Sequence, residues 1–162
     1  MDIYNPTTVI CVILAMDQSC FSYKACSNCE TAIPEIPSSD FVCKSNRCNG
    51  RSYPYKRLFR LLFSIAAESK VFNVVCFDKA AQVIFGCSAL QFFDFSFQHP
   101  FAAENASNAL VGEMFRITLV KPKRVKADHL RMTKVVPLRS GFQPVIKTLE
   151  ELYKVIYGDK AA

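Results

Sequence analysis

The chain has 162 residues, 51% of them hydrophobic, and carries a formal charge of +6. That length and apolar share support one domain, residues 1–162, with its own core and leave little for a second. They exclude a helical membrane span, because no apolar run approaches about 20 residues.

In chain order, residues 7–16 hold an apolar run too short for a bilayer. Only Asp2 precedes it with charge, so it reads as a buried strand rather than a leader. Residues 20–24 continue extended into a cysteine-rich loop. There Cys26-Ser27-Asn28-Cys29 is followed, thirteen residues later, by Cys43-Lys44-Ser45-Asn46-Arg47-Cys48. Two close-spaced cysteine pairs on a short loop can wrap one tetrahedral Zn²⁺ with Cys26, Cys29, Cys43 and Cys48. Four thiolates leave no open coordination position, so the ion would be a structural staple rather than a catalytic one. A ribbon over residues 24–52 follows, and Gly50 would let backbone N–H groups turn toward the sulfurs. Two disulfides are the alternative. The zinc spacing, the chain length and the lack of a visible leader argue for thiols and a reducing compartment. The Asn105-Ala106-Ser107 sequon would then go unused.

Beyond the ribbon, Phe59, Leu61, Phe63 and Ile65 alternate with Arg60, Leu62 and Ser64 and read as a strand with one core face. Residues 71–77 form its hairpin partner. Asp78 is placed to cap a helix over 79–85, and Gly86 to end it. In the phenylalanine-rich stretch 90–101, Leu90, Phe93 and Phe97 fall on one helical face, with Pro100 as a stop. Residues 114–120 and 130–136 are two more strands. A last amphipathic helix runs over about 144–157, opened by Pro144 and closed by Gly158. Five short strands with a helix between the third and fourth is the order of an OB-fold barrel. The expected fold is therefore mainly β: a five-stranded OB barrel, a zinc ribbon inserted between strands one and two, and a C-terminal helix.

The charge is uneven. Residues 116–147 hold nine basic side chains against one acid, Asp128. A solvated face is the plain reading of such a run. On a barrel sheet it is also a track for phosphates. The two histidines, His99 and His129, sit in no motif with a nucleophile or a metal spacing, so enzymatic activity is not expected.

The stretch Ser19-Cys20-Phe21-Ser22-Tyr23-Lys24-Ala25-Cys26, the ribbon, and Val74-Val75-Cys76-Phe77-Asp78-Lys79-Ala80-Ala81 through Gly86 together resemble a known family. It is the C-terminal zinc-ribbon OB domain of the replication protein A large subunit. The resemblance implies an OB barrel with one structural Zn²⁺ on the four named cysteines. It also implies single-stranded DNA binding without chemistry, partner subunits joined through the C-terminal helix, and a nuclear setting. The family stacks bases on aromatics of the third strand. Phe77 matches one of these, while the other, a tryptophan, falls on Asn73. The Lys24 to Cys29 ribbon entry and the Ser140 to Ile146 tail further resemble the OB proteins of the shieldin complex. Such a relative implies docking of shieldin complex subunit 1 and a role at double-strand breaks. A meiotic OB protein is the rival.

Two binding roles follow as expectations. For single-stranded DNA, the candidate contacts are Arg60, Phe77, Lys121, Lys123, Arg124, Lys126 and Arg131. For a repair-complex subunit, they are Leu58 and Leu62 on the second strand and Val145, Leu149, Leu152, Tyr153 and Ile156 on the last helix. A helix that plugs its own barrel is the competing reading of the last set. Neither a membrane nor a small-molecule substrate is expected.

Overall fold

A computed structural model of the chain describes residues 6–35, 43, 45–51, 54–122 and 129–157, with side chains of the last helix described as far as Lys154. Among the described residues there are seven strands: β1 (Thr7–Met16), β2 (Ser22–Cys26), β3 (Ala32–Ile33), β4 (Tyr55–Ala67), β5 (Lys70–Phe77), β6 (Met114–Val120) and β7 (Leu130–Pro137). The helices are α1 (Asp78–Phe85), α2 (Ala89–Gln98), α3 (Ala102–Leu110) and α4 (Val145–Tyr157).

Five strands close into a ring. β1 pairs with both β4 and β6, β6 with β7, β7 with β5, and β5 with β4. The β5–β7 pairing is parallel and the others are antiparallel. This is the OB-fold barrel that the strand order leads one to expect. Closure follows from alternation: Val9, Cys11 and Ile13 on β1, Phe59 to Ala67 at every second position on β4, and Phe115, Ile117 and Leu119 on β6 all point inward and are buried. The ribbon is attached outside the ring. β2 pairs with the first half of β4, and the two-residue β3 pairs with β2. β4 is the longest strand, 13 residues, because it serves both partners in succession.

The barrel end is filled by aromatic rings. Phe59 lies 5.0 Å from Phe85, Phe85 lies 4.8 Å from Phe92, and Phe21 lies 4.9 Å from Phe92, between ring centres. These rings arrive from β4, α1, α2 and the approach to β2, so one cluster fastens the helices to the strands.

Three details differ from the sequence expectation. First, besides the helices read over 79–85 and in the 90–101 stretch, a further helix, α3, lies between the third and fourth barrel strands. Second, α2 turns a different face inward. Phe92 and Ala89 are buried, whereas Leu90 is 53% and Phe97 83% exposed. With phenylalanine at so many positions the 3.6-residue period fits more than one face, and contact with Phe59 and Phe85 selects Phe92. Third, Asp78 is not the cap of α1. Phe77 occupies that position without a side-chain bond. The Asp78 carboxylate instead accepts from the Phe59 N–H at 2.9 Å and from Gln82 at 2.7 Å. It thereby satisfies a β4 amide where the strand passes from one partner to the next.

Gly86 does end α1, with φ of 71° and its N–H donating to the Gln82 carbonyl at 2.8 Å. A β-carbon there would sit 2.4 Å from Pro144. Glycine is therefore required both by the left-handed backbone and by the close passage of the chain that opens α4.

Candidate metal centre and nucleic-acid face

Cys26 ends β2, and Cys29 lies in the tight turn that follows, where the Glu30 N–H donates to the Cys26 carbonyl at 2.8 Å. Cys48 closes a short 3₁₀ turn over Asn46–Cys48, which Ser45 caps by accepting from the Arg47 N–H. These two knuckles, with Cys43, bring the four sulfurs within 4.8 Å of one another. Cys26 Sγ lies 3.6 Å from Cys48 Sγ, and Cys29 Sγ lies 3.4 Å from Cys43 Sγ. A tetrahedron with zinc–sulfur bonds of about 2.3 Å has edges of about 3.8 Å. A disulfide needs about 2.0 Å. All four are free thiols, and the donor set, size and burial fit a four-thiolate metal site.

The electrostatics ask for a cation. The Thr31 hydroxyl and backbone N–H hold the Cys29 thiol down at about 5. The Asn28 amide, 3.4 Å from Cys48 Sγ, also favours a thiolate, but burial and the neighbouring sulfurs push Cys48 up to about 12. Four sulfurs this close cannot all ionise unless a positive ion shares the site. The N–H support comes from Asn28 and Cys29 to Cys26, from Thr31 to Cys29 and from Ser45 to Cys43. With Asn49, Gly50 makes the left-handed turn beyond the last sulfur.

The ribbon is latched to the barrel by Arg57, a residue the sequence reading passes over. Its side chain is only 6% exposed. It donates to Ser22 Oγ at 2.9 Å, pairs with Glu35 at 2.9 Å, and lays its guanidinium 3.8 Å from the centre of the Phe93 ring on α2. One cation thus ties the segment that leaves β3, the start of β2 and a barrel helix. The signal in sequence is faint: an arginine entering an apolar strand.

A second cluster lies on the outer wall of β4, β5 and β7. Arg60 is directly opposite Phe77, Leu62 opposite Val75, and Ser64 opposite Asn73. Arg131, opposite Val75 on the parallel side, carries its guanidinium 4.5 Å above the Phe77 ring. Tyr23 belongs to the same field. Burial chiefly raises its hydroxyl, Glu30 and Asp78 add to the rise, and Arg131 and Arg60 oppose it. The structure therefore brings Arg60, Phe77 and Arg131 together and adds Tyr23. Asn73 is exposed, and its amide oxygen accepts from Ser64 at 2.9 Å. Phe72 packs against the core and cannot replace a ring on this wall. Lys121 is exposed just beyond β6, while Lys123, Arg124 and Lys126 lie outside the described residues.

The expected docking residues are largely used within the domain itself. Val145, Leu149 and Tyr153 are buried. The Tyr153 hydroxyl accepts from Asn105 at 3.0 Å, and its ring lies 5.5 Å from Phe95 and 4.4 Å from His99. Leu58 is buried and Leu62 half-buried. Leu152 is on the surface, and the side chain of Ile156 lies outside the described residues. Through Val145, Leu149 and Tyr153, α4 closes its own barrel end, because that face is where the buried side chains of α1 and α3 need cover.

Comparison with known proteins decides the family. The family described as the replication factor-A C-terminal domain matches residues 7–136. The chain belongs to that family. Among solved structures, this family member is similar to a replication protein A heterotrimer bound to ssDNA, with a TM-score of 0.63 at 17% identity over 94% of the chain. It is also similar to yeast RPA bound to ssDNA, with a TM-score of 0.54 at 18% identity over 96% of the chain. It spans 35% of the first of those chains and 88% of the second. At such identities the likeness shows the shared fold. No curated protein sequence matches the chain.

Proposed function

We propose that this chain is a non-catalytic, zinc-stapled OB module of a nuclear genome-maintenance complex that contacts single-stranded DNA. The observation that carries the reading is the outward cluster of Arg60, Phe77 and Arg131 on β4, β5 and β7. It lies on the wall an OB fold uses for oligonucleotides and supplies two phosphate-neutralising cations beside one ring. Family membership and the two similar structures, both bound to ssDNA, support the same ligand class. Zn²⁺ is the ion proposed for the four sulfurs, since soft thiolates in a tetrahedral set select it. Where the family places a second ring the chain has Asn73, so stacking of roughly 1–3 kcal/mol per base is forgone. The module is accordingly proposed to bind weakly alone and to work beside a partner subunit.

The finer reading is a shieldin-like role, limiting end resection at double-strand breaks, favouring end joining and docking shieldin complex subunit 1. It rests on the ribbon entry and the Ser140 to Ile146 tail. An autonomous single-strand binder of the replication protein A or meiotic type is the alternative, favoured by the intact Phe77.

Fluorescence polarisation with a labelled oligothymidine across a salt series tests the DNA reading. Binding at low salt should weaken steeply as salt rises, with Arg60→Ala and Arg131→Ala each reducing the slope by about one. No binding at low salt would defeat it.

A further inference from the structure

The adjoining wall of the barrel, which meets the first at β7, has a different chemistry. On the outer faces of β1, β6 and β7, Ile10 is opposite Arg116 and Arg116 opposite Val136, while Met114 is opposite Val12 and receives the Leu138 N–H on its carbonyl at 3.1 Å. Ile10 is 48%, Met114 44% and Val136 52% exposed. Three large exposed aliphatic side chains thus surround Arg116 on one wall, a grouping that suits an interaction surface. The stripe runs into an open hollow of about 480 Å³ whose apolar lining is Val111, Met114 and Leu138, bordered by the Arg139–Glu113 ion pair at 2.5 Å.

Three features choose the occupant. The charged side chains on these outer faces, Arg116, Lys134 and Arg131, are all basic among the described residues, and neighbouring Glu113 is already paired. A second copy of the chain would set like charges against each other across a two-fold contact. No outward aromatic ring lies on these three strands among the described residues, so the wall offers nucleobases nothing to stack on. The ring of strands is closed, so no edge is free to accept an added strand. We infer that the β1–β6–β7 wall docks an amphipathic helix of another protein, its apolar face on Ile10, Val136 and Met114, one large side chain in the Val111–Leu138 hollow, and acidic residues against Arg116 and Lys134. The residues named for the helix are distinct from Arg60, Phe77 and Arg131, so this does not depend on the DNA reading.

The probe is an amphipathic peptide of about 18 residues, five helical turns, with leucines on one face and glutamates flanking them. It is titrated into the isotopically labelled full chain and followed by NMR. Saturable shifts centred on Ile10, Met114 and Val136 are expected. The double variant Arg116→Glu/Lys134→Glu should bind about tenfold more weakly at unchanged thermal stability. The same peptide with lysine in place of glutamate should bind no better than that variant. No saturation, equal binding of the lysine peptide, or shifts confined to other faces would overturn the proposal. So would the same residues responding to oligothymidine instead, or a concentration-dependent dimer that Ile10→Asp dissolves.

Discussion

The ribbon and the barrel are held together by opposite means. The barrel buries a continuous apolar core in which Phe59, Phe63, Phe85, Phe92 and Phe115 are fully enclosed. The ribbon's own buried cluster is Cys26, Cys43 and Cys48, with Cys29 and Ile33 packed beside them. Its β3 has two residues. A segment with so little apolar surface to bury cannot offset the entropy of ordering its backbone. Beyond its pairing with β4, its order is proposed to come from an ion on the four sulfurs and from Arg57. The difference teaches that a part whose fold is set by the hydrophobic effect can sit beside a part built to be ordered by coordination chemistry.

That contrast can be broken at several points. The largest effect should come from Cys48→Ser, which removes one thiolate of four. Metal content measured by mass spectrometry of the native protein should fall from one equivalent to none, while the barrel keeps its circular dichroism. In the barrel, Phe85→Ala should cost about 3–5 kcal/mol in chemical denaturation, because its pocket is walled by other rings and cannot collapse. It should leave the metal stoichiometry of the folded fraction unchanged. Gly86→Ala should cost about 2 kcal/mol, combining a left-handed backbone with an overlap against Pro144. Calorimetry would show it as a lowered Tm, and the overlap should make Gly86→Asn no milder. Arg57→Met should cost the least in global stability, about 1–2 kcal/mol, because a neutral stem can still cover Phe93. It should nevertheless loosen the ribbon, seen as faster chelation of the metal.

The two regions also differed in how far they could be read in advance. Barrel strands declare themselves because Phe59, Leu61, Phe63 and Ile65 alternate with outward residues over a run no helix would tolerate. The sulfur cluster declares itself because ligand spacing is a local property of the chain. What stayed hidden depends on contacts distant in sequence. α3, with its small residues Ala102, Ala106 and Ser107 buried, carries a weak apolar signal and is stabilised by α4 and β1. Phe92 rather than Phe93 faces inward because of rings on β4 and α1. Asp78 serves an amide nineteen residues earlier rather than capping the start of its own helix. The inward use of Val145, Leu149 and Tyr153 was open between two readings, since an amphipathic stripe is the same whether it meets its own domain or a partner.

Hydrogen exchange followed through metal chelation tests the central contrast most directly. The account predicts that residues 22–33 and 45–51 lose protection together when the ion is withdrawn. The amides of β1, β5 and β6 should keep their protection. Loss of protection across the whole chain at once, or none anywhere, would contradict it.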